Sequence, residues 1–156
     1  MIKTILNLFI IFSLAGCVSY KSTFQYVNED RVLISSLEEL DKVKSAWKEQ
    51  EISEYTLEIS VGWVIARDVE VTVKGDSVHG KSRSRERRHW ISLSQDEALD
   101  YSVDHLLQLA ADNFGKKQYQ FYTNSQRSLL LGYKYEGAEG YEDDWASVFI
   151  KTMRIK

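Results

Sequence analysis

The chain has 156 residues, a formal net charge of −3, 28% charged and 12% aromatic residues, a single cysteine and no proline. One cysteine excludes an intrachain disulfide, and a mildly acidic balance gives no basic excess for nucleic acid. The length suits one domain around one core, with turns left to Gly, Asn, Asp and Ser.

Residues 1–16 begin with Lys3, continue as an apolar run broken only by Asn7 and Ser13, and close on small residues. That layout is an export signal, and the run is shorter than the ~20 apolar residues a bilayer span needs. Its end, Leu14-Ala15-Gly16-Cys17, resembles the lipobox of bacterial lipoproteins. The resemblance implies cleavage between Gly16 and Cys17 and acylation of the Cys17 sulfur and amine. Several acyl chains on one residue, at about 0.8 kcal/mol per buried methylene, anchor a protein without a membrane helix. Val18 stands where an aspartate would direct retention at the inner membrane. By the same resemblance, the location is the periplasmic side of the outer membrane in a Gram-negative envelope.

Residues 17–34 have weak periodicity and read as a tether or irregular arm; residues 35–156 read as one globular domain. Ser36 and Glu39 have the spacing of a capping box. Leu37, Leu40, Val43 and Trp47 then recur at helical spacing up to about Gln50. From Ser53 the period is two: Tyr55, Leu57, Ile59 and Val61 alternate with polar residues, and so do Val69, Val71 and Val73. Gly75-Asp76 makes a tight turn into a third strand from Ser77.

Residues 81–89 are basic and apolar-free, and read as a loop. Ser94 and Glu97 form a second capping pair over a short helical turn. A second main helix runs from Ser102 to Phe114, with Val103, Leu106, Leu107, Ala110 and Phe114 on its core side and Gly115 behind it. The last third alternates as strands: Tyr119 to Thr123, Leu129 to Tyr135, and Trp145 to Ile155. In the last of these, Met153 and Ile155 share a face with Trp145 and Phe149, opposite Val148 and Ile150. The expected fold is α+β: two main helices on one face of an antiparallel sheet of five to six strands, in the order α-β-β-β-α-β-β-β.

The helix with Trp47, the run Tyr55-Thr-Leu-Glu-Ile-Ser, the run Val69-Glu-Val-Thr-Val-Lys-Gly-Asp-Ser-Val78 and the later helix Ser102 to Leu109 resemble a bacterial envelope family, domain of unknown function 6174. The resemblance spans about residues 38–155. Members often carry a cysteine pair after the first strand; here that stretch is Val61-Gly62-Trp63, so no redox role is implied. The family implies no activity.

Catalytic and metal signals are weak. Ser45-Ala46-Trp47-Lys48 matches the Ser-x-x-Lys pattern of penicillin-binding acyl-transferases, but lies near a helix end without the partner motifs. His79, His89 and His105 share no metal-ligand spacing, and the only cysteine is committed to lipid. Glu136, Glu139, Glu142, Asp143 and Asp144 make an acidic loop without EF-hand spacing, which reads as solvated. No catalytic residue, metal or cofactor is expected.

Two binding candidates stand out. Lys81, Arg83, Arg85, Arg87 and Arg88 carry five positive charges against Glu86 alone. Three readings stay open: a solvated loop, contact with anionic headgroups or lipopolysaccharide phosphates, or docking to an acidic protein. Tyr141 and Trp145 flank the acidic loop with Tyr133 and Tyr135, as core packing or as interface anchors. The expectation is a lipid-anchored envelope protein that serves as a protein-binding or accessory module, inhibitor or immunity proteins being one version; the alternative is an envelope enzyme acting on a cell-wall or periplasmic substrate. Partners are the membrane, through the lipid, and an envelope protein, without nucleic acid. No signal speaks for an oligomeric state.

Overall fold

The structure is a computed structural model that describes residues 23–26, 31–137 and 144–156. Among the described residues nine strands form one antiparallel sheet: β1 (Thr23–Tyr26), β2 (Val32–Leu33), β3 (Glu54–Gly62), β4 (Arg67–Lys74), β5 (Ser77–Ser84), β6 (Ile91–Ser92), β7 (Tyr119–Thr123), β8 (Leu130–Glu136) and β9 (Trp145–Ile155). Eight follow the order β2-β7-β8-β9-β3-β4-β5-β6, and β1 pairs with β9 off that path. The helices are α1 (Leu37–Glu49), α2 (Gln95–Leu99) and α3 (Val103–Asn113).

This overturns the expected α+β arrangement of two helices on five to six strands. Strand residues outnumber helical ones, and the sheet dominates the molecule. The additional strands are short: β2 and β6 have two residues and β1 has four, too few for alternation to show. Two of them, β1 and β2, come from the stretch expected to be a tether or arm.

The long β3–β4 hairpin sets the frame. Tyr55↔Val73, Leu57↔Val71 and Ile59↔Val69 are cross-strand partners, so their side chains share one face, and all six are buried. The opposite face carries Thr56↔Thr72, Glu58↔Glu70 and Ser60↔Asp68. The hydroxyls of Thr56 and Thr72 lie 3.1 Å apart. At the next turn Gly75 takes φ 55°, a value L side chains rarely adopt, and Lys74↔Ser77 leaves only Gly75-Asp76 between strands.

Helices cover the apolar face. α1 contributes Leu40, Val43 and Trp47; α3 contributes Val103, Leu106, Leu107 and Ala110. Leu37, expected with them, stands 58% exposed at the first helical position. α2 lies on β5, where a Cβ on Gly80 would come within 2.9 Å of Ala98 Cβ. Ser36 caps α1 by accepting from Glu39 N, yet the Glu39 carboxylate turns one residue further back to Ser35 N and Oγ, at 2.8 and 2.9 Å. The complete capping box is that of Ser94 and Glu97 on α2.

The face assignment expected for the last strand is also corrected. Between Glu58↔Thr152 and Ile59↔Ile150 the register shifts, and Lys151 is the extra residue. The bulge reverses the alternation, so Ile150 and Val148 point to the same buried side as Met153. Phe149, on the other face, is buried beneath the Arg31 guanidinium, 3.9 Å from its ring centroid, and beside Tyr122. Among the described residues no helix is long and apolar enough to cross a membrane.

Candidate functional site

The basic stretch is not one loop. Lys81 and Arg83 belong to β5, where register sets them opposite Glu70 and Asp68 on the open face of the sheet. Lys81 Nζ lies 2.8 Å from Glu70 Oε1, and Arg83 Nη2 lies 3.3 Å from Asp68 Oδ2. The bulge aims Lys151 at the same carboxylate, with Nζ 2.7 Å from Asp68 Oδ1. The hydrogen bond from Lys151 holds the Asp68 carboxyl below its ordinary range, and Arg83 adds to it against a smaller opposing effect of burial. Trp90 closes over both cations, its ring centroid 5.0 Å from Lys81 Nζ and 4.8 Å from Arg83 Cζ. These two charges are spent on cross-strand pairing.

Arg85, Arg87 and Arg88 remain in the β5–β6 connection, at one end of the sheet. Arg85 fastens that connection to the neighbouring hairpin: its N–H donates to Ala66 O at 3.0 Å and its Nη2 lies 3.1 Å from Ser60 Oγ. Arg87 turns toward a cavity between the two connections.

The other wall of that cavity was not anticipated. The β3–β4 connection, residues 63–66, carries Trp63, Val64 and Ile65 at 51%, 68% and 55% exposure, where a hairpin tip ordinarily has polar turn residues. Ile91, 52% exposed, adds to the apolar wall. The cavity measures about 540 Å³ and lies on the helix side of the sheet, beyond the helices, floored by Ser82 and Ser84. Arg67, Arg87 and His89 line it against one carboxylate, Glu86. Three adjacent apolar residues between two strands are the signal that marks the site in the sequence.

Trp63 also borders a second cavity of about 290 Å³ between α3 and the sheet. There His105 Nε2 lies 3.4 Å from Asp100 Oδ1, beside Tyr101 and Tyr133. Burial pushes the Tyr133 phenol up to about 12 and raises that of Tyr101. Both phenols therefore stay protonated at physiological pH. Among the described residues no serine or cysteine lines this cavity.

The remaining candidates scatter. Gly16, Cys17 and Tyr141 lie outside the described residues, as do Glu139, Glu142 and Asp143. Trp145 starts β9, 45% exposed and close to Gly62. Tyr133 and Tyr135 pack with Tyr119, centroids 6.0 and 5.0 Å away, and of the two only Tyr133 lies against the core. Ser45 sits on the exposed side of α1. His79 is on β5, His89 in the β5–β6 connection and His105 on α3. Among the described residues no three His, Cys, Asp or Glu side chains are placed to share a metal ion.

Compared with protein-family models and with curated proteins, the chain matches none.

Proposed function

We propose that the protein is a lipid-anchored binding module of the cell envelope, held at a bilayer through Cys17 and engaging another protein. The observation that carries this reading is the exposed apolar tip Trp63-Val64-Ile65 beside a cavity that, among the described residues, holds a single carboxylate. Exposing three large apolar side chains in a row costs solubility, and such surfaces mark interaction sites. A hydrolytic site would instead gather a nucleophile or a pair of carboxylates at the cleft. The lipobox resemblance supplies the anchor, and with it the periplasmic side of an outer membrane.

A second reading, an envelope enzyme, has the His105–Asp100 pair in its favour. Among the described residues its cavity brings two tyrosine phenols, but no serine or cysteine, to that pair.

The experiment joins fatty-acid labelling to crosslinking in intact cells. Label on the wild-type chain, none on Cys17→Ser, and a discrete protein adduct would support the module. A cytosolic chain with a free Cys17 thiol, or hydrolytic turnover abolished by His105→Ala, would end it.

A further inference from the structure

Resting on that reading, we infer that the cavity between the Trp63–Ile65 tip and the β5–β6 connection binds an acidic polypeptide segment that carries an apolar side chain. Three observations converge. The first is charge. Arg67, Arg87 and His89 line the cavity against Glu86, and Arg88 stands exposed in the same connection, in a chain whose net charge is negative. Unlike Lys81 and Arg83, Arg87 has no ion pair within the described residues. Planar guanidinium groups at such a rim favour carboxylates, which they engage in paired hydrogen bonds.

The second is shape. The apolar residues wall a concave space of about 540 Å³, with Ile65 and Ile91 on its lining. A concave space takes up a protruding side chain, whereas a bilayer surface meets only the convex crest of a tip.

The third is topology. β1 pairs with the far end of β9, Thr23↔Ile155, and Ile155 pairs with Tyr55 at the start of β3. The tip follows Gly62, at the other end of the same strand. Seven residues of strand separate the two ends, about 23 Å at about 3.3 Å per residue. The chain thus enters the sheet through β1 at the end of β3 opposite the cavity, and an anchor at Cys17 would attach there rather than beside the cavity.

The test pans displayed random dodecapeptides against the full lipidated chain in detergent micelles, with phosphatidylglycerol vesicles as a parallel probe. Arg87→Glu and Ile65→Ser alter exposed positions that the fold does not use, and Lys74→Glu, at the opposite end of β4, is the control. Enriched peptides should pair carboxylates with an aromatic or aliphatic residue. Their affinity should fall at least about tenfold in each cavity variant, weaken with salt, and stay unchanged in Lys74→Glu. Peptides without that signature, peptides indifferent to both variants, or no enrichment would overturn the inference. A blue shift of tryptophan fluorescence on reconstitution into those vesicles that Ile65→Ser removes, with no peptide enriched, would assign the surface to membrane instead. A protein crosslinked in cells at some other face would leave the wider binding role standing while this inference fails.

Discussion

The phenol oxygen of Tyr55, at the buried start of β3, accepts a hydrogen bond from the backbone N–H of Val103, the first residue of α3, at 3.2 Å. A helix N-terminus leaves its first N–H groups without partners inside the helix, and here the sheet provides one. Trp47 of α1 packs edge-on against the Tyr55 ring, centroids 5.6 Å apart, and donates its indole N–H to Asp104 Oδ1 at 3.1 Å. One strand and two helices thus meet on a single phenol. Tyr55→Phe keeps the ring and strands a buried N–H, which costs about 1–3 kcal/mol. The urea midpoint should fall with an unchanged m-value. A stability equal to wild type would show that water or another group satisfies Val103.

The same phenol sets the alkaline limit of the fold. Burial pushes both Tyr55 and Tyr133 up to about 12, from 10.0. Below pH 10 both are protonated in the folded and unfolded states, and the stability they provide is fully present. Between 10 and about 12 the unfolded chain releases protons that the folded chain keeps, so stability declines through that window. Urea titrations at pH 9 and pH 11 should show this decline. Tyr133→Phe should make it shallower, because one of the raised phenols is gone.

Asp68 works at the other end of the scale. Its carboxyl, held low chiefly by Lys151, contributes stability that is present above the ordinary Asp range and is lost as pH falls through the depressed folded value. Asp68→Asn should lower stability at pH 7 by about 1 kcal/mol, the scale of a partly exposed ion pair. The gap between wild type and variant should narrow only as pH falls below the ordinary Asp range. A gap that stays constant through that acid range would mean that packing, not charge, is what Asp68 contributes.

Gly132 has φ 144°, and a Cβ there would collide with the Val148 carbonyl on β9. Gly132→Ala should therefore cost about 3 kcal/mol or more, from backbone strain and the parting of β8 from β9. Calorimetry would register it as a lower Tm; a Tm within a degree of wild type would mean the strands separate freely.

These relationships differ in how far the sequence shows them. Tyr55, Leu57 and Ile59 against Val69, Val71 and Val73 is plain alternation around a buried hairpin, and Gly75 marks its turn. The strand Ser77–Ser84 is harder, because Gly80, Ser82 and Ser84 replace the apolar residues that would betray its inner face. Its signal is electrostatic: counting outward from Gly75-Asp76 places Lys81 opposite Glu70 and Arg83 opposite Asp68. The bulge at Lys151 left no such trace, and period-two reading across it puts Ile150 on the wrong face. The cavity was hidden for another reason. Its basic wall reads in the sequence as part of a longer charged loop, and its apolar residues 63–65 fall between two strands with no pattern that assigns them a role. Only the tertiary approach of the two connections, tied by Arg85 and Ala66, makes them one surface.

That surface can be separated from the fold by mutation. Val64 and Ile65 are 68% and 55% exposed and lie outside the buried core. Replacing both with serine removes apolar area that is already in water, so stability should change by no more than about 0.5 kcal/mol. Solubility at high concentration should rise and any self-association through the tip should diminish, since contiguous exposed apolar residues are what drive it. Analytical ultracentrifugation beside thermal unfolding would read both quantities on one sample. If the double variant instead unfolded several degrees earlier with no gain in solubility, the tip would be a structural clasp over Trp63. The binding role would then have to be sought on another face.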